Sequence, residues 1–227
     1  MRLLFNQNYS PRRNRFIHYL RPPDPNLNSN KRKLRQLIKR VSENKGKILD
    51  LGSGGRSLAP GIINLDANVY EQVDVVGDAH QLPFCEKCFD LIIITAVLEH
   101  VKYPIEVVRE INQCLRIGGM VYAEIPFLQG FHSDPDDYQR YTTLGLKTLF
   151  EDFKEEEVGV CSGPISVLTW YFRKLPTIFF ENFFIIKAIE FLTGWAIFVF
   201  KYLDYFLVRA KNSHILASGL YYIGIKT

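Results

Sequence analysis

The sequence is poor in cysteine, with 4 in 227 residues, too few for a disulfide framework in a chain of this length. Cys114 and Cys161 have apolar flanks and are expected to be buried. Cys85 and Cys88 form a single CxxC in PFCEKCFD. Zinc would need two further ligands at a matching spacing; there is no second CxxC and no HxxxH, so no metal site is read from the sequence. The start, MRLLFNQNYSPRRNRF, lacks the long apolar core of a secretory signal, and a cytoplasmic protein is expected. Long apolar runs are missing too: within residues 178 to 209, the most apolar stretch, no uncharged run exceeds FLTGWAIFVF, short of the ~20 residues of a simple spanning helix. Acidic residues are scarce in the first 47 positions, where Asp24 and Glu43 stand against 13 of the 28 lysines and arginines. Such an arm can meet nucleic acid phosphates, anionic lipid headgroups or an acidic partner, and charge alone does not choose among them.

The composition, 47% hydrophobic, suits one sizeable core with an appendage. RPPDPNLN cannot continue a helix, so residues 1–28 read as a basic extended arm. NSNKRKLRQLIKRVSEN then offers Ser29 or Asn30 as a helix cap, with Leu34, Leu37, Ile38 and Val41 at helical spacing. From Lys47 on, KILDL, IINLD, VDVVGD, FDLIIIT and MVYAEIPF are short β-branched runs. PIEVVREINQCLRIGG reads as a helix opened by Pro104 and ended by Gly118. The alternation predicts a doubly wound, mostly parallel α/β sheet with helices on both faces and a ligand site beyond the carboxyl ends of the strands. LGLKTLFEDF reads as a further helix, and EEEVGVCSG and SGLYYIGIKT as a sixth and a seventh strand. The core thus runs over residues 29–164, is interrupted by an apolar helical insertion at 165–212, and is completed by a strand at 213–227.

KILDLGSGGR, residues 47 to 56, carries a glycine turn straight after a strand. A Walker phosphate loop needs a lysine that is absent here, and a dinucleotide turn starting at Gly52 needs a third glycine where the chain has Ser57. What remains is Asp50, Gly52, Gly54 and Gly55, with an acidic strand end at Asp66. In order along the chain, KILDLGSGGR, INLD, GDAHQLPF, FDLIIITAVLEHV and REINQCLRIGGMVYAEIPF resemble the class I (Rossmann-like) S-adenosylmethionine (SAM)-dependent methyltransferases, in particular the type 11 methyltransferase domains, over about residues 47 to 150. The resemblance implies SAM as cofactor. Glycines let the backbone approach a cofactor that carries no phosphate. On the family's pattern Gly52, Ser53 and Gly54 form that turn, Asp66 accepts from the ribose, Asp78 and the Ala79 N–H meet adenine, and Asp50 and Thr95 line the methionine end. Arg56 stands where the family often has a third alternate glycine.

FHSDPDDYQRYT follows the fifth strand, at the end of the sheet suited to an acceptor. His132 is the candidate base, with Asp134, Asp136, Asp137, Tyr138 and Arg140 as hydrogen-bonding partners for a polyhydroxylated or charged acceptor. This order is similar to methyltransferases of polysaccharide and glycolipid biosynthesis, which implies a glycan, lipid-linked or other small-molecule acceptor. Glu99 and His100 form a pair that recurs in the family near the cofactor, and His132 ranks above His100. In the insertion, Lys187, Glu190, Lys201 and Asp204 fall within a stripe of about 100° on a helix that is otherwise apolar. Such a helix lies at a membrane interface or over a lipidic substrate, or it covers the core and forms a homodimer. The expected protein is peripheral on the cytoplasmic face of a membrane. An RNA methyltransferase using the basic arm, and a non-catalytic adapter retaining the fold, stand as alternatives; no Asn/Asp-Pro-Pro-aromatic tetrapeptide for a base nitrogen occurs.

Overall fold

The computed structural model describes residues 22, 24–132 and 136–227. The expected arm up to residue 21, and Asp134 and Pro135 of the polar loop, lie outside the described residues. The chain forms α1 (Lys31–Glu43), β1 (Ile48–Leu51), β2 (Ile63–Asp66), β3 (Val75–Val76), β4 (Phe89–Thr95), α2 (Pro104–Cys114), β5 (Leu115–Pro126), α3 (Thr143–Leu149) and β6 (Phe153–Ser162). The insertion follows as α4 (Pro164–Lys174), α5 (Phe183–Ile197) and the short α6 (Asp204–Leu207), joined by 3₁₀ turns, and β7 (Gly219–Lys226) closes the fold.

The seven strands make one sheet in the order β3-β2-β1-β4-β5-β7-β6. The pairs from β3 to β5 are parallel and β7 runs antiparallel between β5 and β6, so the expected seven-stranded, mostly parallel α/β sheet is present. β4 explains the continuous apolar run FDLIIIT, because both of its faces are covered. Leu91 and Ile93 join Ile38 and Val41 of α1 on one side. Ile92 and Ile94 join Val107, Val108 and Ile111 of α2 on the other.

Two expectations change. Strand and helix do not alternate throughout: after β1, β2 and β3 the described residues form turns, and after β1 and β3 Pro60 and Pro83 lack the N–H a helix interior needs. Gly118 does not end α2 either. The helix stops at Cys114 because Leu115 is already extended and paired with Phe89. Pairing resumes at Leu91 with Met120, so 116–119 loop out of the ladder, with Gly118 at φ +78°.

The topology sets where the insertion sits. It leaves from the end of β6 and returns to the start of β7, and Ser162 and Pro126 both pair with Gly219. The insertion therefore stands on the edge of the sheet where β5 ends. Its polar stripe faces inward: Glu190, Lys201 and Asp204 are buried, while Lys187 is half-exposed and joins Lys174 in pairing with Glu190. Lys201 donates to the Asp24 carbonyl. Asp204 accepts from the Ile165 and Ser166 N–H groups at 2.9 and 2.8 Å and from the Ser166 hydroxyl at 2.7 Å, capping α4 from the far end of the insertion. Residues 24–30 strap the same region, through Leu27 N–H on Ser166 Oγ and Asn28 Nδ2 on Glu124 Oε2. Part of the expected arm thus packs on the core.

Asp204→Ala strips two helix-end N–H groups of a charged acceptor. It is expected to lower unfolding free energy by about 3 kcal/mol, read by urea denaturation, and to make the 164–216 segment the first site of limited proteolysis.

Candidate functional site

The glycine turn after β1 is tied to the end of β2. Gly52 and Ser53 N–H groups donate to the Leu65 carbonyl at 2.8 and 3.0 Å. Gly54 N–H donates to Asp66 Oδ2 at 2.8 Å, and Asn68 N–H donates to Asp66 Oδ1 at 2.9 Å. Gly52 and Gly54 have φ of +72° and +57°, a left-handed conformation that suits glycine. A Cβ on Gly52 would meet Val97 Cγ2 at 2.2 Å, whereas one on Gly54 would meet nothing within 4 Å. The turn borders a cavity of about 460 Å³ lined by Gly52, Gly54, Asp66, Asp78, Ala79 and His100, among others. Asp78 Oδ1 accepts from the His80 backbone N–H at 2.9 Å and faces His80 Nδ1 at 2.7 Å. The His80 backbone bond, then its ring, holds the Asp78 carboxyl below the ordinary carboxylate range.

Asp50, inside β1, is fully buried. Burial pushes its carboxyl above the ordinary range, against the opposing pull of Arg56. Arg56 meets it with two bonds, Nη2 on Oδ1 at 3.0 Å and Nε on Oδ2 at 3.2 Å, and Nη2 also donates to Thr95 Oγ1 at 2.5 Å. The sequence-predicted residues of the methionine end, Asp50 and Thr95, are therefore brought together by the arginine that replaces a glycine.

A second cavity of about 600 Å³ adjoins the first, and Ala96 lines both. Ala96 has φ +56°, unusual for a residue with a Cβ, and its N–H donates to the Glu124 carbonyl at 3.0 Å. Arg56, Thr95, Glu99, Glu124, His132 and Lys201 are on the walls of this second cavity. Glu124 was not singled out from the sequence, although an acid in the apolar strand MVYAEIPF was a readable signal.

The loop after β5 is braced by Arg140. Its five N–H groups go to Asp137 twice and to the carbonyls of Gln129, Gly130 and Gln139. That pairing holds Asp137 down to about 2, with the Arg140 bond as the leading cause among the influences that lower it. Of the other candidates, Asp136 and Tyr138 are exposed and bonded to each other at 3.1 Å, and neither lines the two cavities. Tyr138 N–H also donates to the Glu99 carbonyl at 2.8 Å. His132 lies half-buried on the cavity wall.

Glu99 is the feature the sequence undervalued. Its side chain is 1% exposed, neither carboxylate oxygen has a hydrogen-bond partner among the described residues, and burial pushes its carboxyl up to about 7. Among the described residues, Glu99, His100 and His132 are the one His/Cys/Asp/Glu group whose ligand atoms all lie close together, within 4.8 Å. Cys85 and Cys88 are free thiols, as are the buried Cys114 and Cys161.

Residues 55–123 match the methyltransferase domain family. No curated protein matches the sequence, but 467 chains of solved structures are similar in shape. A Bacillus halodurans C-125 protein described as a methyltransferase superposes with a TM-score of 0.52 at 14% identity, over 86% of this chain and 99% of its own. A Galdieria sulphuraria protein described as a sarcosine dimethylglycine methyltransferase does so with a TM-score of 0.52 at 11% identity, over 86% of each chain. Sheet order, glycine turn and the matched segment agree: the chain has the class I, Rossmann-like methyltransferase fold, and residues 55–123 match the methyltransferase domain.

Proposed function

We propose that the protein is a SAM-dependent methyltransferase that works at a membrane surface on a glycan, lipid-linked or other small acceptor. Bound SAM supplies a methyl group on a sulfonium, which an acceptor atom displaces in line. The residues of the first cavity fit such a cofactor: two left-handed glycines allow close backbone approach, Asp66 is fixed at the end of β2 to accept from a diol, and Asp78 keeps an ionised carboxylate for an amino group. Arg56 leaves Nη1 unbonded among the described residues, and we assign it to the amino-acid carboxylate. The second cavity, reached past Ala96, takes the acceptor, with His132 on its wall; Asp136 and Tyr138 remain candidate contacts for a part of the acceptor that reaches out of it.

The observation that carries the membrane reading is the inverted polarity of the insertion. Its charged side chains are spent on the protein, while Phe179, Phe184, Leu192 and Phe206 are each at least two-thirds exposed. Within Phe183–Leu207, the most apolar 18-residue window has a mean hydropathy of 1.9, and 11% of it is buried. A lid over a core would show the opposite pattern. Because Glu190 and Asp204 tie the segment to α4 and Lys201 ties it to the Asp24 carbonyl, it suits lying in the interface, apolar side down, better than spanning. Lys201 and Tyr202 of the insertion line the acceptor cavity, so a lipid-linked substrate would enter beside the surface that carries it. The basic composition of residues 1–47 adds attraction to anionic headgroups.

Calorimetry with S-adenosylhomocysteine tests the cofactor reading. The wild type is expected to bind, and Asp66→Ala and Arg56→Ala to weaken binding about ten- to a hundredfold each; a folded wild type that does not bind ends the enzyme reading. Vesicle sedimentation tests the surface. The full chain is expected to pellet with vesicles containing anionic lipid, and Phe184→Ser/Leu192→Ser/Phe206→Ser to lose at least tenfold in partitioning. A protein that ignores vesicles, yet forms a dimer abolished by the same three changes, would replace the membrane with a second copy.

A further inference from the structure

Glu99, His100 and His132 meet at the junction of the two cavities: Glu99 and His132 line the larger and His100 the smaller. Their hydrogen bonds fix which ring atoms face inward. His100 Nδ1 lies 2.5 Å from the Asp136 carbonyl, so that nitrogen carries the proton. His132 Nδ1 lies 3.1 Å from the Gly130 carbonyl and 3.3 Å from Arg140 Nη2. All five Arg140 protons are committed elsewhere, so His132 Nδ1 is the donor to Gly130. In both neutral rings the Nε2 lone pair is then left free, and both face Glu99 Oε1, at 3.7 Å from His100 and 4.0 Å from His132.

Two lone pairs aimed at a buried carboxylate make a pocket of negative potential that no donor among the described residues fills. Neither Nε2 is within hydrogen-bond distance of Glu99 Oε1, so the three groups do not satisfy one another directly. A cation between the three atoms suits the spacing. Ligands at about 2.1 Å from a tetrahedral ion lie about 3.4 Å apart; the two imidazoles stand 3.7 and 4.0 Å from Glu99 Oε1 and all three ligand atoms lie within 4.8 Å, so no pair needs to close by more than about 1.4 Å. Imidazole Nδ1–H groups held by backbone carbonyls are also the outer partners that orient metal-binding histidines.

We propose that Glu99, His100 and His132 bind a divalent transition-metal ion of the zinc, cobalt or iron class. Two imidazoles and one carboxylate leave further positions of the ion open, at the place where the methyl donor and acceptor would meet. This rests on the proposed function for its purpose and not for its existence. His132 then acts by holding the ion against an acceptor oxygen, in place of taking a proton itself.

Cobalt titration of the full chain, freed of metal by chelator, tests the site. The wild type is expected to take up one Co²⁺ with visible d–d absorption, and Glu99→Gln and His132→Ala to weaken uptake at least tenfold while still melting cooperatively. A folded wild type that leaves Co²⁺ free, or uptake that survives both substitutions, overturns the proposal. So that the result does not hang on the variants, spin-echo modulation of Cu²⁺ bound to the wild type should report two imidazole nitrogens; none would overturn it equally. S-adenosylhomocysteine binding is measured on the same samples. Cobalt uptake without it removes the methyltransferase reading and leaves the ion site, and the reverse removes only the ion.

Discussion

A strand buried on both faces can hold a polar side chain only where a partner meets it, and partners come most readily near the strand's end. β1, β2, β4 and β5 run parallel, so they stop on one edge, and Asp66, Thr95 and Glu124 gather there from distant parts of the sequence. Thr95 and Glu124 are partners across the sheet register. Asp50 lies one position short of that end, within β1 and fully buried, and the chain answers with Arg56 in the turn that follows. The ion pair belongs to the same constraint: a carboxylate inside a parallel sheet has to be met by a cation from the open edge.

That edge also receives the insertion, since β6 ends and β7 begins there. The insertion satisfies its charged groups inward, among its own helices and on the strap, and exposes its aromatics, the reverse of a soluble helix. Site and apolar surface are neighbours through topology, without any contact between their motifs in the sequence. The strap at 24–30 completes the enclosure, with Asn28 on Glu124 and Lys201 on the Asp24 carbonyl.

Much of this was legible. The glycine turn, Asp66 and Asp78 could be named because each lies at a strand end, and strand ends are marked locally by β-branched runs that give way to glycine and acid. α1 fell where its apolar spacing predicted, and so did the buried Cys114 and Cys161. The missed features are those that depend on what stands opposite. Gly118 resembled a helix terminator until Leu115 paired with Phe89 and ended the helix first. Arg140 looked like a substrate contact, but all five of its donors are spent on its own loop. Glu99 looked like half of a recurrent pair, and its lack of a donor among the described residues became visible only once His132 and Glu99 shared a wall.

By itself, the sequence determined the strand runs, the turn and the acids that follow them, because local propensity and short-range spacing are written in adjacent residues. It also determined that the insertion carries one polar stripe. Tertiary structure alone decided which way that stripe faces, since a helix has two sides and only packing partners select between them. It likewise decided that Glu99, His100 and His132 converge, because a carboxylate's surroundings come from residues brought near by the sheet rather than by the chain.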